Sequence, residues 1–523
     1  MVAFVRAVPV GTCRDLSFAS RRVRVHELSR LCRRCSGVTA AAGSDGAIRQ
    51  RPRIVVIGAG FGGLAATRHL SAADADVTLV DRHNYHLFQP LLYQVATAAL
   101  SSTDIAVPIR TLLRGQRNVE VLLGEVVGVE ASSRKVKVGQ LGELPYDYLV
   151  CATGAEYNYF GHPQWRSVAP GLKSVDDATL VRRRVLLAFE RAETAADRQA
   201  RQRWLTFVLI GAGPTGVEMA GALVELARAA LACDFRRIDA RAVSIVLVEA
   251  GPQVLAGFPD RLAAFAQRSL RQMGVDVRLN TRVEAIDTEG VTANGERIEA
   301  ATTVWCAGVK ATPVAHWLGV SGGRGGRIEV NEDLTVPGHP DIFVIGDAAS
   351  LTDPSGRPLP GLAPVAKQQG RYVAELIKRR LRGQPPPPPF RYHDEGSLAV
   401  IGRASAVADL GRVKLTGWVA WLLWGAAHIF LSASATGLRC SSTGSGRGSH
   451  TAAARASSPG TARRGSELDC VPTRLKAFPA SRKPRSPISA GKTPGTQRRG
   501  CVALVFRGVA RVTGATGSKG VKS

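Results

Sequence analysis

The chain has 523 residues, 45% of them hydrophobic, and a formal net charge of +27, a balance that taken alone would suggest a nucleic-acid binder. Its distribution argues against that: residues 1–50 carry +6 and residues 432–523 carry +15, leaving only +6 on the 381 residues between. The apolar content excludes a disordered chain, and 381 residues suffice for two or three domains. Of nine cysteines, only Cys151, Cys233 and Cys306 lie in this middle region. They stand far apart and form no C-x-x-C there, so neither a zinc ribbon nor a dithiol motif is available. No metal site is expected, and a reducing compartment fits.

Residues 1–50 are Arg-rich and acid-poor and are expected to be a disordered basic leader. That composition is also the mark of a transit peptide and would mean a mitochondrial enzyme. Arg outnumbers Lys 57 to 12 across the chain, however, the bias of a GC-rich genome. The favoured reading is a bacterial protein whose start is assigned too early.

Arg53-Ile-Val-Val-Ile-Gly58-Ala-Gly60-Phe61-Gly62-Gly63 places a buried parallel strand before G-x-G-x-x-G, with an alanine-rich helix after it. Gly58 permits the tight turn, Gly60 lets a pyrophosphate approach the backbone, and Gly63 allows the helix to pack on the strand. The next strand, Val77 to Asp81, ends in an acid that can accept from a ribose hydroxyl. Thr206 to Gly211-Ala-Gly213-Pro-Thr-Gly216 repeats the arrangement, and Val243 to Glu249 supplies its acid-ended strand. No Arg stands at 250 or 251, which favours the free 2′-hydroxyl of NADH over the phosphate of NADPH. Two such loops imply two dinucleotides: a flavin that stays and a nicotinamide that comes and goes.

Farther on, Ile342-Phe-Val-Ile-Gly346-Asp347 puts a carboxylate behind four apolar residues, where sugar hydroxyls can satisfy it or where it can cap a helix. Pro385–Pro389 marks a surface connection, Ser397–Gly402 is strand-like, and 417–431 is apolar with Trp418, Trp421 and Trp424. That segment is too short to span a bilayer but, with Arg412 and Lys414 before it, suits a helix lying at a membrane interface. From 432 on, the composition reads as disorder.

These motifs together resemble the two-dinucleotide-binding-domain flavoproteins, and specifically the type II NADH dehydrogenases, over residues 53–431. Asp81-Arg-His-Asn-Tyr-His86-Leu-Phe-Gln-Pro90 is similar to the family segment along the flavin. Thr153-Gly154 and Gly308 end strands similar to the matching strands of its two nucleotide domains, and Gly346-Asp347 resembles the second FAD motif. Leu362 to Gly370, with Ala366, Lys367, Gln368 and Gln369, is similar to the segment near the flavin ring and quinone, although Ala363-Pro364 stands where many relatives have Ala-Gln. Glu218 resembles the family acid near the nicotinamide. The bland alternatives stay open: exposed helix residues for Gln368 and Gln369, a solvated charge for Lys367, and a first-turn Glu serving the helix dipole for Glu218. His83 and His86 are expected to pack or hydrogen-bond.

The resemblance implies an α/β fold of two Rossmann-like domains, the FAD domain interrupted by the NAD(H) domain, plus a C-terminal amphipathic membrane-associated helix and disordered termini. The expected boundaries are 51–170 and 321–400 for the FAD domain, 171–320 for the NADH domain, and 401–431 for the membrane segment. It implies non-covalent FAD, NADH as substrate and a membrane quinone as acceptor, without proton pumping. A homodimer, contact with the membrane through 412–431, the cytoplasmic face of a bacterial inner membrane and no nucleic-acid partner complete the expectation. The alternatives are a soluble FAD-dependent NAD(P)H reductase with a protein acceptor and, from another class, a redox-sensing or nucleic-acid-binding flavoprotein.

After His428-Ile-Phe-Leu431 the family continues with something like Ile-Gly-Phe-Arg-Asn-Arg, where this chain reads Ser432-Ala-Ser-Ala-Thr-Gly437. GC-rich codons for the family stretch, read one base later, spell Ser-Ala-Ser-Ala-Thr-Gly. Residues 432–523 are therefore expected to be a frameshift product, and reading the underlying DNA tests it.

Overall fold

The computed structural model describes residues 51–436; the leader, and the chain from 437 onward with most of the expected frameshift product, lie outside the described residues. In chain order the elements that build the site are β1 (Arg53–Ile57), α1 (Phe61–His69), β2 (Asp76–Asp81), β3 (Val119–Leu123), β4 (Tyr148–Cys151) and α2 (Val175–Thr194). Then come β5 (Thr206–Ile210), α3 (Pro214–Glu225), β6 (Ser244–Val248), β7 (Val275–Arg278) and β8 (Thr302–Trp305). The last are β9 (Thr335–Val336), β10 (His339–Val344), α4 (Ala363–Leu381), β11 (Ser397–Gly402), β12 (Ser405–Asp409), β13 (Lys414–Thr416) and α5 (Gly417–Thr436).

Two sheets result, parallel throughout except where β9 pairs antiparallel with β10. The first runs β9-β10-β4-β1-β2-β3 and the second β7-β6-β5-β8, so the glycine-loop strand lies between its acid-ended partner and a later strand in both. Register is matched: Ile57 lies opposite Val80 and Cys151, and Ile210 opposite Val248 and Trp305. Both β1 and β5 are apolar runs rather than alternations, because parallel strands bury both faces. The first sheet draws β10 from beyond the second, so one Rossmann-like unit interrupts the other. Two antiparallel segments, Ala155–Tyr157 and Val309–Ala311, carry the chain out and back.

Helix α1 packs on α4 so closely that a Cβ on Gly370 would overlap the Gly62 carbonyl. The 33-residue step from Gly216 to Glu249 is absorbed where α3 runs on into a wider turn, Leu226–Ala230, and a loop before β6.

Two expectations about the C-terminal part are corrected. The three-stranded sheet β11-β12-β13 packs on α3, with Gly221 so close to the Ile401 carbonyl that a Cβ there would overlap it. Residues 401–416 are thus part of the folded body, and β11 crosses the boundary expected at 400. Helix α5 also continues to Thr436, past the expected end at Leu431 and into the stretch expected to be disordered. The three tryptophans divide: Trp418 is 63% exposed, whereas Trp421 and Trp424 pack, half-buried, against Val400, Ala406, Ala408 and Ala420. A period of three places them only roughly on one stripe, and the sheet beneath α5 covers two of them.

Candidate active site

In the first loop Gly58 has φ +95°, and a Cβ there would stand 2.5 Å from the Ala152 carbonyl oxygen; one on Gly63 would overlap the Gly58 carbonyl. In the second, Gly211 has φ +99° with Ala307 N 2.7 Å from its would-be Cβ, and a Cβ on Gly216 would overlap the Gly211 carbonyl. The middle glycines differ. Nothing lies within 4 Å of a Cβ built on Gly60 or Gly213. Protein contacts thus forbid side chains at the outer glycines, while the middle ones open on room for a ligand. Each middle glycine also caps a helix with no side-chain capping bond, so first-turn N–H groups and the positive helix end face that room.

The two acids do the same work. Asp81 accepts from Ala59 N at 2.6 Å and His83 N at 2.7 Å, and Glu249 from Ala212 N at 2.7 Å and Gly251 N at 2.8 Å. Each carboxylate ties down the residue between the first two glycines. Each oxygen keeps a second lone pair for a ribose hydroxyl.

Beside the first loop, the Phe61 ring lies under Lys367 Nζ at 5.5 Å, with the His86 ring edge-on at 5.2 Å. His86, 3% exposed, joins its Nδ1 to the Ala59 carbonyl at 2.8 Å, while its Nε2 has no hydrogen-bond partner. Burial holds the imidazole pKa below its ordinary value, so the ring is neutral and Nε2 is an acceptor left over. The open room at Gly60 and Gly213 fits bound dinucleotides. Gly62 is spoken for by packing: its would-be Cβ meets the Ala366 carbonyl at 3.2 Å and Ile345 at 3.1 Å. Pro90 is the middle residue of the short turn Gln89–Leu91, whose Gln89 Nε2 donates to the Lys173 carbonyl at 3.3 Å.

Thr153 and Thr312 hydroxyls meet at 2.5 Å, joining the strand ends that carry Gly154 and Gly308. Asp347 does not cap a regular helix; it sits in the short 3₁₀ turn Gly346–Ala348, its Oδ2 4.0 Å from Lys173 Nζ. Burial lowers the Lys173 pKa, and Asp347 pulls it back up. Lys173 lay in no motif; the capping box of Ser174 and Asp177, which starts α2, places it there. Thr312 was equally invisible, since its partner is 159 residues away.

The amides of α4 are less free than expected. Gln369, 2% exposed, accepts from Gly346 N through Oε1 at 2.7 Å. Gln368 clasps the chain at 393–395, accepting from His393 N at 2.9 Å and donating to the His393 carbonyl at 2.9 Å and Glu395 Oε1 at 3.2 Å. Burial first, then Arg371, lowers the Lys367 pKa, while Glu395 raises it.

On α3, Glu218 accepts from Val400 N at 3.4 Å, and burial raises its pKa to about 8. Tyr93 lies near enough that the same acid helps push its phenol pKa up, after burial. Burial also raises Cys151 and Cys306 to about 12, which leaves both thiols protonated and poor nucleophiles. The C-x-x-C that the chain does contain, Cys32-Arg-Arg-Cys35, lies outside the described residues. Among the described residues no cluster of His, Cys, Asp and Glu could hold a metal ion.

The pyridine nucleotide-disulphide oxidoreductase family model matches residues 52–370. A type II NADH:quinone oxidoreductase of Mycobacterium tuberculosis is 44% identical over 409 residues, 75% of this chain and 86% of that protein. One from Staphylococcus haemolyticus is 32% identical over 379 residues, 71% and 92%. Among solved structures, that of NDH2 from Plasmodium falciparum in complex with NADH aligns with TM-score 0.66 at 21% identity, over 73% of this chain and 95% of that one, a likeness of fold.

Proposed function

The chain belongs to the pyridine nucleotide-disulphide oxidoreductases and, within them, to the type II NADH:quinone oxidoreductases, and from that membership we propose how its residues divide the work. It uses a flavin and NADH to reduce a quinone. In the proposed assignment the flavin is FAD, held without a covalent bond over Gly58, Gly60 and Gly63 by Asp81, Thr153, Gly154, Gly346 and Asp347, with Phe61, Gly62, Pro90 and Ala366 shaping the cavity. NADH docks over Gly211, Gly213 and Gly216, with Glu249 on the adenosine ribose and Gly308 beneath the other half.

FAD held there would supply the two-electron relay between NADH and the quinone. Position is the main catalytic contribution of the protein. Asp81 and Glu249 set the loops at the height a pyrophosphate needs. Lys367 brings a cation over Phe61, Gln369 holds the Gly346 turn, and Gln368 braces the 393–395 segment beside the quinone end. Glu218, neutral at pH 7, puts a proton near the hydride path without a buried charge. The observation that carries the assignment is the duplicated pattern of closed, open and closed glycines with an acid bonded into each loop.

Purified protein should be yellow and should oxidise NADH faster when a soluble quinone is added. Colourless protein, or strict preference for NADPH, would overturn the reading.

Membrane attachment belongs to the same proposal. No helix among the described residues is long and apolar enough to cross a membrane, but Trp418, Val419 and Leu422 face outward from α5, and Leu410 and Val413 are exposed on the neighbouring turn. With Arg412 and Lys414 beside them they suit the surface of an anionic bilayer on the cytoplasmic side. The double variant Trp418→Asp, Leu422→Asp should keep its activity with soluble quinone and lose at least about tenfold in partition onto anionic vesicles, since each buried apolar side chain is worth roughly 1.5–3 kcal/mol. Unchanged flotation would remove α5 from the contact. The protein is further proposed to form a homodimer and to bind no nucleic acid.

A further inference from the structure

Phe160 combines two unfavourable features. Its ring is 61% exposed, and its backbone sits at φ +50°, a left-handed conformation that a bulky residue rarely adopts. Nothing about the segment is loose. Asn158 Oδ1 accepts from Phe160 N at 2.9 Å, Asn158 N donates to the Gly308 carbonyl at 3.3 Å, and Trp305 Nε1 donates to the Asn158 carbonyl at 3.2 Å. The ring is thereby held over Gly308, where an added Cβ would stand 2.7 Å from its Cζ.

The sheet order says what lies there. In the second sheet β5, which leads into the glycine loop, has β6 on one side and β8 on the other. The loop adjoins the residues after β8, since a Cβ on Gly211 would touch Ala307. A dinucleotide whose pyrophosphate sits over Gly213 must place one nucleoside half on each side. Glu249 closes β6 and takes the adenosine ribose. The other half therefore extends over Cys306–Gly308, toward Thr312, whose hydroxyl already meets Thr153 of the flavin domain. Phe160, whose ring rests on Gly308, lines the course of that half.

We propose that Phe160 is a substrate-binding residue that stacks on the dihydronicotinamide half of NADH and aims it at the flavin. This rests on the reading that the second loop takes NADH. An exposed aromatic face is the right surface for a flat, weakly polar ring, and rigidity before binding lowers the ordering cost.

The test uses the flavin-loaded full chain with Phe160→Ala, Phe160→Leu and Phe160→Tyr, and reads the KM for NADH beside the inhibition constant of ADP-ribose, which has the adenosine half and lacks nicotinamide. Stacking of this kind corresponds to roughly a tenfold change on truncation. The Ala and Leu variants should raise the KM about tenfold with ADP-ribose inhibition unchanged, and Tyr should restore it. A KM within twofold of wild type in the Ala variant would overturn the proposal, as would a Leu variant that behaves like wild type or a parallel loss of ADP-ribose binding. Wild-type protein that failed to oxidise NADH would instead overturn the assignment of the second loop.

Discussion

Gly60→Val should yield a folded protein without flavin, whereas Gly63→Ala, a smaller change three residues on, should destabilise the fold itself. At Gly60 the backbone is extended (φ −66°, ψ −166°), a conformation any residue adopts, and nothing lies within 4 Å of the added Cβ. The valine therefore fits the protein and fills only the space that the pyrophosphate needs. At Gly63 the added carbon overlaps the Gly58 carbonyl, so α1 must move away from β1; such overpacking costs about 1–3 kcal/mol or more, since backbone cannot rotate aside. The same contrast holds in the second loop, where Gly213→Val should leave the protein yellow and stable but unable to oxidise NADH. Flavin absorbance and thermal melting decide the matter. A Gly60→Val protein with wild-type flavin content would show that the dinucleotide does not pass over that carbon.

Glu218→Gln should be the more stable protein in alkali and indistinguishable from wild type near pH 5. Burial raises the Glu218 pKa from 4.5 to about 8, so the folded protein keeps a proton that the unfolded chain gives up near pH 4.5. The stability linked to that proton is fully present below about 4.5 and is lost as pH rises through about 8. Glutamine is neutral throughout and of the same shape. The melting temperature of wild type should thus fall behind that of the variant from pH 5 to pH 8 by at least several degrees, then run parallel. NADH oxidation in the variant should persist at pH 7 without the alkaline loss that ionisation brings to wild type. Identical pH slopes in the two proteins would mean that Glu218 is solvated and ordinary.

Much of this is legible in the sequence. Gly58, Gly63, Gly211 and Gly216 do what their spacing demands, because a strand that turns into a helix within four residues has few ways to pass its own carbonyls. Asp81 and Glu249 were readable as acids at strand ends, though their bonds to Ala59 and Ala212 were not, since the expected partner was a sugar. The apolar run Gly417–Leu431 predicts the helix but not its end, because Ser432 to Thr436 lack the large apolar side chains of the run yet continue α5.

Helix and strand periods and the turn that each glycine triplet makes are local: each is decided by atoms within a few residues, so the order of letters determines them and, with the acids that end the next strands, the two-nucleotide α/β plan. Lys173 against Asp347, Thr153 against Thr312, Gln369 under Gly346, Glu218 at Val400 and Phe160 over Gly308 are pairs separated by 23 to 182 residues. For all but the Gln369 pair, which the packing of α4 against the Gly346 turn makes, the closing of one sheet around the insertion of the other brings them within reach. Burial, which raises Glu218 and silences Cys151 and Cys306, is likewise a property of everything packed around a group. It belongs to the tertiary structure and to no single stretch of the chain.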